Sequence, residues 1–210
     1  MNPIAEQKDL VVLVADGTME FALAGILNRP ESIGIRVMTY QVYPHPNRDP
    51  GCLRESHNFL RPFTSQFKHA LVVFDEEGCG KEHCGRKELE GEVKSRLSES
   101  GWGDRAEALV IEPELEAWVW SDSPHVQSVL GWQEQGCSLR DWLTDQGYLE
   151  QQKVKPNRPK EAMEDVLRLM KKPRSSALYR ELAEKVSLKR CQDASFTKLK
   201  NILRQWFPPQ

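Results

Sequence analysis

Asp9-Leu-Val-Val-Leu-Val14 is an unbroken apolar, largely β-branched run that stops abruptly at Ala15-Asp16-Gly17-Thr18. A run without polar alternation is what a strand buried on both faces of a parallel sheet requires. From Met19 to about Asn28 the apolar residues Phe21, Leu23, Ala24, Ile26 and Leu27 recur at helical spacing, and Pro30 closes the segment. Strand, polar turn and helix follow in immediate succession.

The same order returns downstream. Ile35 to Tyr43 alternates as a second strand, Pro44 to Gly51 is a loop rich in turn formers, and Cys52 to about Leu60 is a short helix. His69-Ala-Leu-Val-Val-Phe74 is a third buried strand and runs straight into Asp75-Glu76-Glu77-Gly78. Lys87 to Ser100 reads as a charged surface helix, Ala106 to Glu112 as a fourth strand, and Glu114 to Trp120 as the start of another helix. Strands alternating with helices predict βαβ units, hence an α/β domain with a doubly wound, four-stranded, mainly parallel sheet over residues 1 to 125. Residues 126 to 210 are expected to form a helical C-terminal subdomain. In it, Trp132 to Gln152 is helix and loop and Lys153 to Lys160 a Pro-containing linker. Helices are expected over Glu161 to Met170, Ala177 to Val186 and Ser195 to Phe207.

Composition bounds the class. A hydrophobic fraction of 39% beside 29% charged residues is ordinary for a folded soluble chain. No apolar run reaches the roughly 18 residues of a membrane span, and Met1 to Asp9 lacks the basic and apolar regions of an export signal. A cytoplasmic location without membrane contact is the expectation. Cys52, Cys79, Cys84, Cys137 and Cys191 are an odd, scattered set, which argues for reduced thiols rather than a disulfide framework. The net charge of -2 conceals an asymmetry: residues 151 to 210 carry 15 Lys+Arg against 6 Asp+Glu, leaving -11 for residues 1 to 150. A basic part to hold phosphates beside an acidic part to hold cations suits a nucleic-acid enzyme, although a solvated basic face has the same composition.

In a parallel sheet the loops that follow the strands converge on one edge, where open α/β folds bind ligands. That geometry gathers Asp16 and Glu20, after the first strand, near Asp75, Glu76 and Glu77, after the third, provided those strands are neighbours in the sheet. Several carboxylates stay ionised together only where cations compensate them, and hard divalent ions such as Mg²⁺ or Mn²⁺ take such oxygen ligands. A cation there polarises a phosphate, so phosphodiester chemistry is the natural expectation. Each motif also has a purely structural reading, Asp16 as a helix N-cap and Asp75 to Gly78 as an exposed acidic turn.

With these motifs the chain resembles a family of small stand-alone TOPRIM-like proteins of bacteria and archaea, related to the TOPRIM domains of overcoming-lysogenization-defect nucleases. Asp16-Gly-Thr-Met-Glu20 looks like the strand-end signature of that family, usually Glu-Gly-x-Thr-Glu, and Asp75-Glu76-Glu77 sits where the family has Asp-x-Asp. Ile111-Glu-Pro-Glu-Leu-Glu-Ala-Trp-Val-Trp120 resembles its later Glu-x-Glu-Ala segment, and the tail from Ser176 to Trp206 resembles its C-terminal helices. The resemblance implies a TOPRIM or Rossmann-like core, an Mg²⁺ or Mn²⁺ site, and nucleic-acid cleavage, often in anti-phage defence loci beside partner proteins such as an ATPase. Carried over, Asp16 stands at the general-base position, Glu20 and Asp75 at metal-binding positions, and Glu77 at the second acid of the pair, so all four form the expected catalytic and metal set. Glu114 and Glu116 match the third motif as supporting residues. Asp for Glu at 16 and Glu for Asp at 77 change side-chain length by one methylene each.

Phosphate contacts are expected from Lys153, Lys155, Arg158, Lys160, Lys171, Lys172 and Arg174, which the neighbouring prolines would project from loops. The tryptophans, among them Trp118, Trp120, Trp132, Trp142 and Trp206, are read as packing residues before base-stacking ones. Cys79, His83 and Cys84, with Cys52 and His57, match no common zinc spacing, and Gly78-Cys-Gly80-Lys81 lacks the Walker pattern. Three functions remain open: a metal-dependent nuclease of DNA or RNA, a non-catalytic TOPRIM-like subunit or sensor of a defence complex, and a phosphotransferase or phosphatase acting on a small nucleotide.

Overall fold

The computed structural model describes residues 7–121, 123–132, 136–150 and 152–209. Four strands, β1 (Lys8–Val14), β2 (Tyr40–Pro44), β3 (Phe67–Asp75) and β4 (Ala106–Ile111), form one sheet in the order β2-β1-β3-β4. Every pairing is parallel. The apolar runs that predicted central strands occupy the middle of the sheet, where Leu10 to Val14 and Ala70 to Phe74 are almost wholly buried. Both faces must therefore be covered.

Helix α1 (Gly17–Leu27) leaves β1, and after the short α2 (Pro30–Ile33) the chain returns as β2. Helices α3 (Arg48–Leu60) and α4 (Arg86–Leu97) follow β2 and β3 and pack against each other. Since β1 feeds β2 on one side while β3 continues to β4 on the other, the winding reverses between β1 and β3. This is the position at which doubly wound sheets open a crevice.

Two element starts differ from expectation by four or five residues. Strand β2 begins at Tyr40 rather than Ile35, because Ile35 and Arg36 donate their backbone N–H groups to Pro30 and Phe207 instead of to a ladder. Helix α3 begins at Arg48, so the turn-forming residues 48 to 51 are its first turn, with Pro50 at a position where a missing N–H costs nothing.

Beyond β4 come the short helices α5 (Glu116–Val119), α6 (Pro124–Leu130) and α7 (Leu139–Asp145), then α8 (Pro159–Leu169), α9 (Ser176–Lys185) and α10 (Ala194–Trp206). The expected C-terminal helices are present, and they share one continuous apolar core with the sheet. Helix α9 lies along α1, with Gly25 at the crossing. Phe207 is buried edge-on against His69 of β3, and Trp206 stacks on the same imidazole at 4.5 Å. The exposed edge of β4 is closed by side chains: Glu90 accepts the Val110 N–H at 3.1 Å, Lys198 donates to the Ala108 carbonyl at 2.9 Å, and the two pair with each other. An edge strand so covered offers no ladder to another chain.

Trp102, Trp118, Trp120 and Trp132 are buried, as packing residues should be. All five cysteines are free thiols. Among the described residues no helix is long and apolar enough to cross a membrane.

Candidate functional site

Strand register brings the first two motifs level. Val14 pairs with Val73 across β1 and β3, so Asp16 and Asp75, each two residues further on, reach the carboxyl edge side by side. Asp16 serves as N-cap of α1, its Oδ1 accepting the Met19 N–H at 2.9 Å. The capping role is thus real, and it leaves Oδ2 uncommitted.

Asp75 is held differently. Its carboxylate Oδ1 is closed off from solvent and has no hydrogen-bond partner. Burial, followed by the charges of Asp49, Glu116, Glu114 and Asp16, pushes the Asp75 carboxyl well above the usual carboxylate range. A buried polar atom without a partner is uncommon and costs about 1–3 kcal/mol.

The third motif is drawn in by the backbone. Glu76 N–H donates to the Ile111 carbonyl at 2.9 Å and Glu77 N–H to that of Pro113 at 3.0 Å, extending the β3–β4 ladder past the strand ends. Glu114 and Glu116 consequently lie beside the acidic turn, and both are buried. Burial and the neighbouring Glu116 charge push the Glu114 carboxyl up to about 7, against the pull of Lys160.

The C-terminal helices supply the counter-charges. Lys160 Nζ is 3.2 Å from Glu114 Oε2, and Arg174 Nη2 is 2.6 Å from Glu116 Oε1, which also accepts the Tyr179 hydroxyl. Tyr179 went unnoticed in the sequence because its partner lies 63 positions away.

The remaining expected residues divide. Glu20 is half-buried in the first turn of α1 and joins none of the side-chain hydrogen bonds or ion pairs among the described residues. Glu77 is exposed, and its charge is felt by Glu114 and Lys160. Of the seven basic residues expected to contact phosphate, Lys160 does not project from a loop, because Pro159 is tolerated as the opening residue of α8 and places it in the first turn. Lys153 pairs with Glu150 and Lys155 with Asp193, while Arg158 covers the Tyr148 ring at 5.0 Å. Lys172 donates to the Val129 carbonyl, and Lys171 is exposed.

Asp49 was missed. It stands in the first turn of α3, and its Oδ1 accepts the backbone N–H of Asp75 at 2.8 Å. Burial and the Asp16 charge raise its pKa, with the N–H bonds acting in the opposite direction. The available signal was positional: Asp49-Pro50 follows the second strand as Asp16 follows the first and Asp75 closes the third.

Among the described residues no three His, Cys, Asp or Glu side chains converge closely enough to form a metal cage by themselves. Mg²⁺ rarely needs one, since it keeps several waters and binds through one or two carboxylates plus substrate phosphates. A separate small hollow of about 30 Å³ between α1, α5 and α9 is lined by Ala22, Ile26, Trp118, Leu182 and Phe196. Its apolar walls mark a packing defect rather than a substrate site. No family model, curated protein or solved structure matches the chain.

Proposed function

We propose that the protein is a metal-dependent nuclease, cytoplasmic and of TOPRIM type, that cleaves phosphodiester bonds of DNA or RNA with Mg²⁺ or Mn²⁺. The observation that carries this reading is the pairing of Asp16 and Asp75 at the β1–β3 reversal, with a buried Asp75 oxygen lacking any partner. Such an oxygen fits a hard cation, which satisfies it and offsets the repulsion among Asp16, Asp49 and Asp75. A divalent cation bound there supplies charge neutralisation and polarisation of the phosphoryl group.

The chain's own residues do the rest. Asp75 and Asp16 would hold the cation, and the uncommitted Oδ2 of Asp16 would take a proton from an attacking water. Glu114 and Glu116, fixed by Lys160 and Arg174, set the electrostatic rim, and those two cations temper the repulsion that an incoming phosphate meets. Nucleic acid is the substrate class that the basic C-terminal part favours, with a place in anti-phage defence following from the family resemblance.

A second reading rests on a specific observation. Glu114 and Glu116 are both neutralised within the fold by the C-terminal helices, which is what a docking role for the third motif would look like. The protein would then be a non-catalytic subunit or sensor bound to a partner such as an ATPase. The deciding experiment is incubation of purified protein with single- and double-stranded DNA and RNA, with and without Mg²⁺ or Mn²⁺. Cleavage that needs the metal and vanishes in Asp75→Ala supports the nuclease. Equal inertness of the wild type and the variant, with metal-independent capture of a partner, supports the subunit.

A further inference from the structure

The resemblance assigns the second acid of the metal pair to Glu77, two residues after Asp75. Three observations point elsewhere. Glu77 is exposed, and its backbone N–H is bound to the Pro113 carbonyl on the β4 side. Asp49 is half-buried, and its carboxylate reaches the β3 terminus closely enough to accept the Asp75 N–H at 2.8 Å. The Asp75 Oδ1 has no partner and is sealed from solvent, while the Asp49 carboxylate is hydrogen-bonded to the backbone of the same residue.

The backbone before Asp49 is consistent with a demanding placement. Arg48 holds φ at +48°, in the left-handed region, a strain of about 1–3 kcal/mol that persists only where the surroundings impose it. Such strain gathers at functional positions, although by itself it identifies no ligand.

We infer that Asp49, carried by the first turn of α3, is the second carboxylate of the cation site and forms with Asp75 the pair that binds the metal. The inference rests on the metal-site reading above and changes its membership: the β2–α3 connection, rather than the continuation of β3, completes the site. Asp49 has two duties. One Oδ atom fixes the Asp75 backbone, and the other is left for the cation, so the residue both positions and binds.

The test separates these duties. Asp49→Asn keeps an Oδ1 that can accept the Asp75 N–H but lacks the charge. Mn²⁺ titrations by calorimetry on the full chain would compare the wild type, Asp49→Asn, Asp49→Glu, Glu77→Gln and Asp75→Asn, each first checked by thermal melting. The expected result is at least a tenfold loss of Mn²⁺ affinity in Asp49→Asn at unchanged melting temperature, partial recovery in Asp49→Glu, and less than a threefold change in Glu77→Gln. Wild-type binding retained in Asp49→Asn, or lost in Glu77→Gln, would overturn the assignment and leave the metal site itself standing through Asp75→Asn. Absence of Mn²⁺ binding by the wild type, alone and with a non-cleavable phosphorothioate oligonucleotide, would overturn both.

Discussion

Glu114 and Lys160 make a double contact: the Lys160 backbone N–H donates to Glu114 Oε1 at 3.2 Å while its ammonium lies 3.2 Å from Oε2. One carboxylate therefore joins the segment after β4 to the N-terminus of α8, where the helix dipole also favours a negative charge.

The Glu114 carboxyl has a pH signature of its own, set by burial and by Glu116 against the pull of Lys160. Glu114 has its pKa raised from 4.5 to about 7, so the folded state binds the proton more tightly than the unfolded chain. Its contribution is present below the unfolded pKa and is lost as pH rises toward the folded value, about 3 kcal/mol at the limit. Glu114→Gln, neutral at every pH, is expected to match the wild type near pH 4 and to be the more stable of the two at pH 8. Denaturant melts at both pH values read this directly, and parallel behaviour of the two proteins would refute it.

Asp9 should behave in the opposite sense. The Arg36 guanidinium at 2.8 Å, outweighing burial and helped by the Thr39 N–H and Lys68, holds its carboxyl well below the usual range. Its stabilisation is complete above the unfolded pKa and disappears as pH falls through the folded one. Asp9→Asn is expected to cost about 2 kcal/mol at pH 7. The gap from the wild type should narrow as the solution is taken to pH 2, which melts followed by circular dichroism would show.

Function and stability conflict at Asp75. With its carboxyl driven toward the protonated form by burial and by Asp49, Asp75→Asn should stabilise the metal-free protein by about 1–2 kcal/mol while abolishing Mn²⁺ binding. A destabilised variant would mean that the carboxylate has a structural partner instead.

The α1–α9 crossing is a steric prediction. Glycine inside a helix normally costs about 1 kcal/mol relative to alanine. At Gly25, however, an added Cβ would stand 2.8 Å from Ala183 Cβ and 3.1 Å from the Arg180 carbonyl. Gly25→Ala is therefore expected to lower stability by about 1–2 kcal/mol. A rise in melting temperature would show that the helices can separate freely.

The doubly wound sheet was legible in the sequence because burial on both faces removes polar alternation from β1 and from the second half of β3, leaving apolar runs that stop at carboxylates. Asp16 and Asp75 could be placed on one edge from that pattern, since parallel strands share a carboxyl edge, but their adjacency rests on β1 and β3 being neighbours. The C-terminal helices were equally visible, because α8, α9 and α10 each bury one side: Met163, Val166 and Leu167; Leu178 and Leu182; Phe196, Leu199 and Leu203. Which residues answer one another across the chain was not legible. Asp49 looked like part of a turn, Tyr179 carried no assignment beyond its helix, and Lys160 and Arg174 looked like phosphate contacts. Local periodicity records which side of an element is buried but not what lies on the other side of the contact. The partners of Asp75, Glu114 and Glu116 come from segments 26, 46 and 58 positions away, brought together only by the order β2-β1-β3-β4 and by the docking of the last helices.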